Sequence, residues 1–253
     1  MKAHRKAPSR LLYAALINLL FAAILSGAGL PETAPAPADR ASYLAEIRAE
    51  LERQWPHNRM VTVVCHGHSV PTGYFRGGDV RPFDAYPHLT HRLVQARYTT
   101  SVVEFIRTGV GGEHAEQGAA RFAADVLAKK PDVITIDYAL NDRAIGLERA
   151  RAAWTSMIEQ AKDAGVRVIL LTPTPDTSAD LESPEDPLNR HAEQIRQLAA
   201  RHRVGLVDSA ALFRDAIERG ARPASLMSQA NHPNRRGHEL VARALADWFI
   251  EVE

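Results

Sequence analysis

The run Val61-Thr62-Val63-Val64-Cys65-His66-Gly67-His68-Ser69 decides how the rest of the chain is read. An unbroken apolar and β-branched stretch fits a strand buried on both faces, as in parallel sheets covered by helices. Ser69 then falls at the C-terminal end of that strand, the edge where open parallel sheets bind ligands. Further strand-like runs lie at Val102 to Ile106, Val133 to Tyr138, Val166 to Leu171 and Val204 to Val207. Helical patterns separate them at Tyr86 to Ala96, Glu116 to Leu127, Leu147 to Ala164 and Leu188 to His202. This alternation predicts an α/β domain with a doubly wound, five-stranded parallel sheet. A leading helix is predicted over Ser42 to Trp55, ending before Pro56.

Two later segments belong with Ser69. Leu140-Asn141-Asp142 follows the strand at Val133 to Tyr138, which places Asn141 on the same sheet edge. Asn231-His232-Pro233-Asn234 precedes the helical pattern Gly237 to Ala242, so His232 lies in the loop entering the last helix. A serine hydroxyl is a weak nucleophile until a positioned base takes its proton, and the tetrahedral intermediate needs donors aimed at its oxyanion. Ser69, His232 and Asn141 supply those three residue types. Singly, each has a plainer reading: a strand-to-helix serine serves as an N-cap, Asn141 as a helix cap and His232 as a packed loop residue.

At these positions the chain resembles the SGNH (GDSL-type) hydrolases, whose esterases and lipases use a serine, a glycine, an asparagine and a histidine from successive blocks. Gly67-His68-Ser69-Val70-Pro71-Thr72-Gly73-Tyr74 resembles the first block, with His68 where the family usually has aspartate. Gly109-Val110-Gly111-Gly112-Glu113-His114 resembles the second, with Gly112 matching the glycine whose N–H joins the oxyanion hole. Asn141 matches the third block, and His232-Pro233-Asn234 followed by Gly237-His238 matches the fifth. The resemblance spans about residues 60–245. It implies a three-layer α/β/α sandwich of flavodoxin type and a serine esterase with catalytic residues Ser69, Gly112, Asn141 and His232. No metal or organic cofactor is expected.

The family usually has an aspartate three residues before the histidine, and here that position is Gln229. In a triad the acid fixes the imidazole tautomer, and an amide in its place can cost roughly 10⁴ in turnover. Gln229 or a backbone carbonyl could orient His232, a carboxylate such as Asp79 or Asp84 could fold in, or a Ser-His dyad could act alone. The expected activity is cleavage of carboxylic esters through an acyl-serine, with a carbohydrate O-acetyl ester the favoured substrate. A weakly active or non-catalytic glycan-binding protein and an acyltransferase are the alternatives.

The chain has 253 residues, 45% hydrophobic and 24% charged, which suits one sizeable globular core. A net charge of +1 and the lack of a basic, aromatic-interleaved run argue against a nucleic-acid partner. Lys2, Arg5, Lys6 and Arg10 precede an uncharged apolar stretch from Leu11 to Leu30. Residues 1–28 therefore read as a signal peptide, or else as an uncleaved membrane anchor, of a periplasmic or secreted protein. Residues 29–40 read as a proline-rich linker and 41–253 as the hydrolase domain. Oligomeric state is not legible.

Arg76, Arg81 and Arg143 lie near these segments and are candidates to gather an anionic group on the substrate, or equally to pair with Asp79, Asp84 or Asp142. Gly73 to Tyr86 and Thr172 to Pro187 are irregular and read as substrate loops or plain surface connections. His66 and His68, with His114, invite a metal reading, but no compact ligand motif accompanies them, and a local hydrogen bond for His68 is favoured. His191 and His202 are expected to be solvated on helices. Cys65 is expected to be a buried small hydrophobe, and Asp208 to cap the helix beginning at Ser209.

Overall fold

The computed structural model describes residues 35–251, so the expected signal segment and most of the linker lie outside the described residues. Ala38 N–H donates to the Val204 carbonyl at 3.0 Å, and Asp39 caps the first helix through Ala41 and Ser42 N–H. The elements in order are α1 (Arg40–Tyr43), α2 (Ala45–Leu51), β1 (Met60–Gly67), α3 (Ser69–Thr72), α4 (Tyr86–Arg97), β2 (Val102–Arg107), α5 (Ala115–Ala120) and α6 (Phe122–Asp125). Next come β3 (Val133–Asp137), α7 (Ala139–Asp142), α8 (Gly146–Asp163), β4 (Arg167–Leu171), α9 (Pro187–His202), β5 (Gly205–Val207) and α10 (Ser209–Glu218). The last are β6 (Met227–Gln229), β7 (His232–Pro233) and α11 (Arg235–Ala246).

The sheet runs β2-β1-β3-β4-β5 with every pair parallel. This is the expected flavodoxin-like order, in which the chain leaves β1 for one edge and returns to its other side at β3. That reversal opens a crevice at the C-terminal ends of β1 and β3, where Gly67 pairs with Asp137.

Side chains alternate across each strand, so β1 feeds two cores at once. Val61, Val63 and Cys65 face a core with Leu44, Leu51, Val241, Leu245 and Phe249. Val64 joins Ile134, Ile136, Val168 and Leu170 against Trp154, Met157 and Ile158 of α8 on the other face. Cys65 is fully buried, and burial pushes its thiol up to about 12, leaving it an inert packing residue.

Several local expectations are corrected. The leading helix is split at Leu44 and ends at Leu51, short of Trp55, which stands exposed before Pro56. The helix expected over Glu116 to Leu127 breaks at Arg121, whose guanidinium turns back onto Glu113. His191 is buried, contrary to expectation, because it falls in the apolar stripe of α9 with Leu188, Ala192, Ile195 and Leu198. Burial, with Arg143 adding repulsion, lowers its pKa to about 4. His202 is half-buried and so is not fully solvated either.

Candidate active site

Ser69 begins α3 directly after β1, where the chain must turn sharply. Gly67 permits the turn, since a β-carbon there would collide with the Asp137 carbonyl on β3. His68 caps α3: Val70 N–H donates to its Nδ1 at 3.1 Å. Its remaining Nε2–H then faces Asp137 Oδ1 at 3.4 Å, while Tyr86 O–H donates to Asp137 Oδ2 at 3.1 Å. His68 thus performs the local hydrogen-bonding role expected of it, and the buried Asp137 and Tyr86 behind it were not singled out from the sequence. Gly73 closes α3 in the left-handed region (φ 96°), which glycine adopts without steric cost.

His232 reaches Ser69 from the far end of the chain. It sits on β7, which pairs antiparallel with β6 in a hairpin that hangs outside the main sheet. Its Nε2 lies 2.8 Å from Ser69 Oγ, and both residues are buried. Burial, followed by the neighbouring His68, pushes its pKa down to about 4, with Asp176 acting weakly the other way. The imidazole is therefore neutral at pH 7 and able to accept a proton.

The other face of the ring meets two amides. Nδ1 lies 2.7 Å from Asn231 Oδ1 and 2.7 Å from Gln229 Nε2, and these two amides are 3.4 Å apart. They ask for opposite tautomers: Asn231 Oδ1 accepts from an Nδ1–H, whereas a Gln229 N–H donates to a bare Nδ1. Only the first leaves the Nε2 lone pair for Ser69. Neither carboxylate considered from the sequence reaches the ring: Asp79 pairs with Arg81 at 2.7 Å and Asp84 with Arg235 at 2.8 Å. Asn231 had no separate role in the sequence reading, although its place next to His232 was the available signal.

The second block runs alongside the serine turn, with Thr108 and Val110 N–H donating to the Cys65 and Gly67 carbonyls at 3.0 Å each. A β-carbon on Gly109 would lie 2.5 Å from Thr72 Oγ1 and 2.8 Å from the His68 carbonyl, so the close approach needs glycine. Gly112 has φ 82° and is exposed. Asn141, on α7 just past β3, donates one amide hydrogen to the Glu113 carbonyl at 2.9 Å and so stands beside Gly112 with its second hydrogen unspent. Beneath this loop, Arg121 grips Glu113 and Tyr138, and Tyr138 meets His66 at 3.1 Å. His66 also meets Thr108 Oγ1 at 2.8 Å, so both its nitrogens are engaged in this scaffold. Among the described residues, no group of three or more His, Cys, Asp or Glu side chains could hold a metal ion.

Asp142 is fully buried and holds two elements together. Ala115 N–H at the start of α5 and Trp154 Nε1–H on α8 each donate to it at 2.7 Å. Burial raises its pKa, with the Trp154 hydrogen bond opposing. Asp142→Asn would turn an N–H against one of these buried donors. It is expected to cost about 2–3 kcal/mol in urea unfolding, and to lower ester turnover by loosening Asn141 next to it.

Arg143 makes none of the pairings considered for it. Its guanidinium donates to Asp176 Oδ2 at 2.7 Å and to the Leu140 carbonyl at 2.9 Å. Asp176 lies on the irregular segment after β4, whose Thr177 N–H donates to the Ala230 carbonyl at 2.8 Å. Arg143 therefore ties α7 to the loop that supports the His232 hairpin. Arg76 donates through Nε to the Ser228 carbonyl at 3.0 Å, reaching the same hairpin from the other side.

This serine, imidazole and amide arrangement at the switch point of a parallel sheet is that of an ester-hydrolysing serine hydrolase of the SGNH type. The chain belongs to the GDSL-like Lipase/Acylhydrolase family, which it matches over residues 65–240. It is 25% identical over 164 residues to an acetylxylan esterase of Geobacillus stearothermophilus, covering 60% of this chain and 74% of that protein. The crystal structure of Axe2, an acetylxylan esterase of that organism, superposes with a TM-score of 0.64 at 24% identity, covering 76% of this chain and 95% of that one. Three other solved forms of Axe2 are catalytic mutants, in which a serine, an aspartate or a histidine is replaced by alanine. A two-domain esterase active on acetylated mannans superposes with a TM-score of 0.66 at 18% identity, covering 82% of this chain and about half (52%) of that one.

Proposed function

We propose that this protein removes O-acetyl groups from carbohydrates through an acyl-serine intermediate. The observation that carries the mechanism is the 2.8 Å approach of His232 Nε2 to Ser69 Oγ at the crevice of the sheet. Ser69 Oγ attacks the ester carbonyl carbon as its proton passes to His232 Nε2. The carbonyl oxygen becomes an oxyanion held by Ser69 N–H, Gly112 N–H and the free amide hydrogen of Asn141. As the ester C–O bond breaks, the imidazolium returns its proton to the departing alkoxide, leaving acetyl on Ser69. Water, deprotonated by His232, attacks the acyl carbon, and the second collapse releases acetate and restores the Ser69 hydroxyl.

The acetyl group and carbohydrate alcohol are inferred from the named substrates of the relatives. Export is inferred from the basic and then apolar N-terminal sequence; among the described residues, no helix is long and apolar enough to cross a membrane. The substrate reading is tested by assaying acetate release from acetylated xylo- and manno-oligosaccharides beside p-nitrophenyl acetate and octanoate. Release from the oligosaccharides, with acetate esters favoured over octanoate by at least about tenfold in kcat/KM, is expected. Preference for octanoate with inert oligosaccharides would assign the chain to lipid-like esters instead.

A further inference from the structure

A groove of about 330 Å³ beside the His232 hairpin gathers Arg76, Arg81, Arg235 and Arg236, with Asp84 among them, around Ser228 and Asn234. This concentration is local, since the whole chain carries a net charge of only +1. Arg81 is matched by Asp79 at 2.7 Å, and Arg235 by Asp84 at 2.8 Å and Glu239 at 3.1 Å. Arg76 and Arg236 have no carboxylate within ion-pair distance among the described residues. Arg76 is held in place because its Nε donates to the Ser228 carbonyl, which leaves both terminal amino groups as a planar fork for an anion. Arg235 and Arg236 open the twelve-residue helix α11 behind its Asn234 cap, so the positive end of the helix dipole enters the same groove.

Hydrogen bonds tie the walls of the groove to the catalytic pair. Tyr74 N–H, two residues before Arg76, donates to the Ser69 carbonyl at 3.0 Å, and Ser228 Oγ–H donates to the His232 carbonyl at 3.1 Å. In the proposed mechanism the departing alkoxide must lie next to His232 to receive its proton, whereas the oxyanion lies toward Gly112 and Asn141. The alcohol portion of the ester therefore leaves on the side of the His232 hairpin, whose Ser228 lines the groove. Building on the esterase reading, we infer that this groove binds an anionic substituent, a carboxylate or phosphate, carried by the carbohydrate whose ester is cleaved. The natural substrate is then an acidic acetylated glycan in preference to a neutral one.

The test is equilibrium binding to full-length Ser69→Ala by calorimetry, using acetylated xylo-oligosaccharides of one length with and without a glucuronic acid branch. The acidic oligosaccharide is expected to bind about 10- to 100-fold tighter at low salt, with the advantage falling steeply at 0.5 M NaCl. Arg76→Gln/Arg236→Gln in the same background is expected to bring the ratio close to one, while Arg97→Gln, on α4 away from the groove, leaves it intact. Competition by glucuronate or by glucose 6-phosphate identifies whether carboxylate or phosphate is the preferred anion. Equal affinity for the two oligosaccharides, or a ratio unmoved in the double variant, overturns the inference. Hydrolysis of p-nitrophenyl acetate by the unaltered protein, measured separately, judges the esterase reading, so the two fail independently.

Discussion

Ser69→Ala is expected to lower kcat toward p-nitrophenyl acetate by about 10³- to 10⁶-fold with little change in KM. The alanine variant retains the backbone donors and the pocket but has no oxygen to carry the acyl group. Only the oxyanion site and binding remain to accelerate attack by water, which is why a residual rate above the uncatalysed reaction is anticipated. The fold should survive, because among the described residues the one hydrogen bond made by Ser69 Oγ is to His232 at 2.8 Å, and neither core relies on it. An unfolding midpoint close to that of the parent would establish this. Mass spectrometry after rapid acid quenching should find an acetyl adduct of the parent and none of the variant. A variant within tenfold of the parent would remove Ser69 from the chemistry and with it the acyl-serine mechanism.

How far the sequence could be read depended on whether the signal was local. β1 and β3 are continuous apolar runs buried on both faces, so their positions and the sheet edge they present were plain. The hairpin β6–β7 was not, since strands of three and two residues carry no period, yet that hairpin delivers His232 to Ser69. The proximity of these residues, 163 positions apart, had to come from the family pattern. The pairings of charged groups were the least legible. Asp176 and Arg143 meet across 33 residues through the turn after β4, and nothing in either local sequence selects the other. Asp142 reads in sequence as a possible partner for an arginine but serves α5 and α8 instead, because burial removes water as an acceptor for Ala115 and Trp154. For His191 residue type points to solvent, whereas its position in the α9 stripe points to the core where it lies.

The polar groups under Ser69 form a second layer that departs from the usual family sequence at His68. The cap of α3 must supply one acceptor to a backbone N–H and must itself be fixed. A histidine does this only with its Nδ1 bare, so a buried partner for Nε2–H is needed. Asp137 lies opposite it at the end of β3, with Oδ1 3.4 Å from Nε2, and Tyr86 on α4 donates to the other carboxylate oxygen. Since β1 and β3 pair in register at Gly67 and Asp137, the partner is supplied by the sheet itself. The proximity of His68 also contributes, after burial, to holding the His232 pKa low.

A carboxylate restored next to His232 is expected to change both the rate and its pH dependence. In the parent the pKa of the imidazole lies near 4, so kcat/KM for p-nitrophenyl acetate should rise with pH around that value and stay level through neutrality. Gln229→Glu keeps the reach that places the amide 2.7 Å from Nδ1, and Gln229→Asp introduces the residue usual in the family. Either carboxylate accepts from Nδ1–H and cannot donate to it. The tautomer that blocks Ser69 is thereby removed, and the imidazolium formed in the transition state gains a counter-charge. The expected gain in kcat is about 10²-fold, and up to about 10⁴-fold if Gln229 mainly donates in the parent. The sign of the pH effect follows: an adjacent negative charge favours the protonated ring, raising its pKa and moving the rising limb from about pH 4 upward toward the ordinary histidine range. At pH 5 the variants should therefore lose much of the advantage they show at pH 8. An unchanged rate and an unmoved limb in both variants would show that Asn231 already fixes the ring. In that case Asn231→Ala, which removes the one oxygen among the described residues within hydrogen-bond distance of Nδ1, should lower kcat in the parent background but have little effect once a carboxylate occupies position 229.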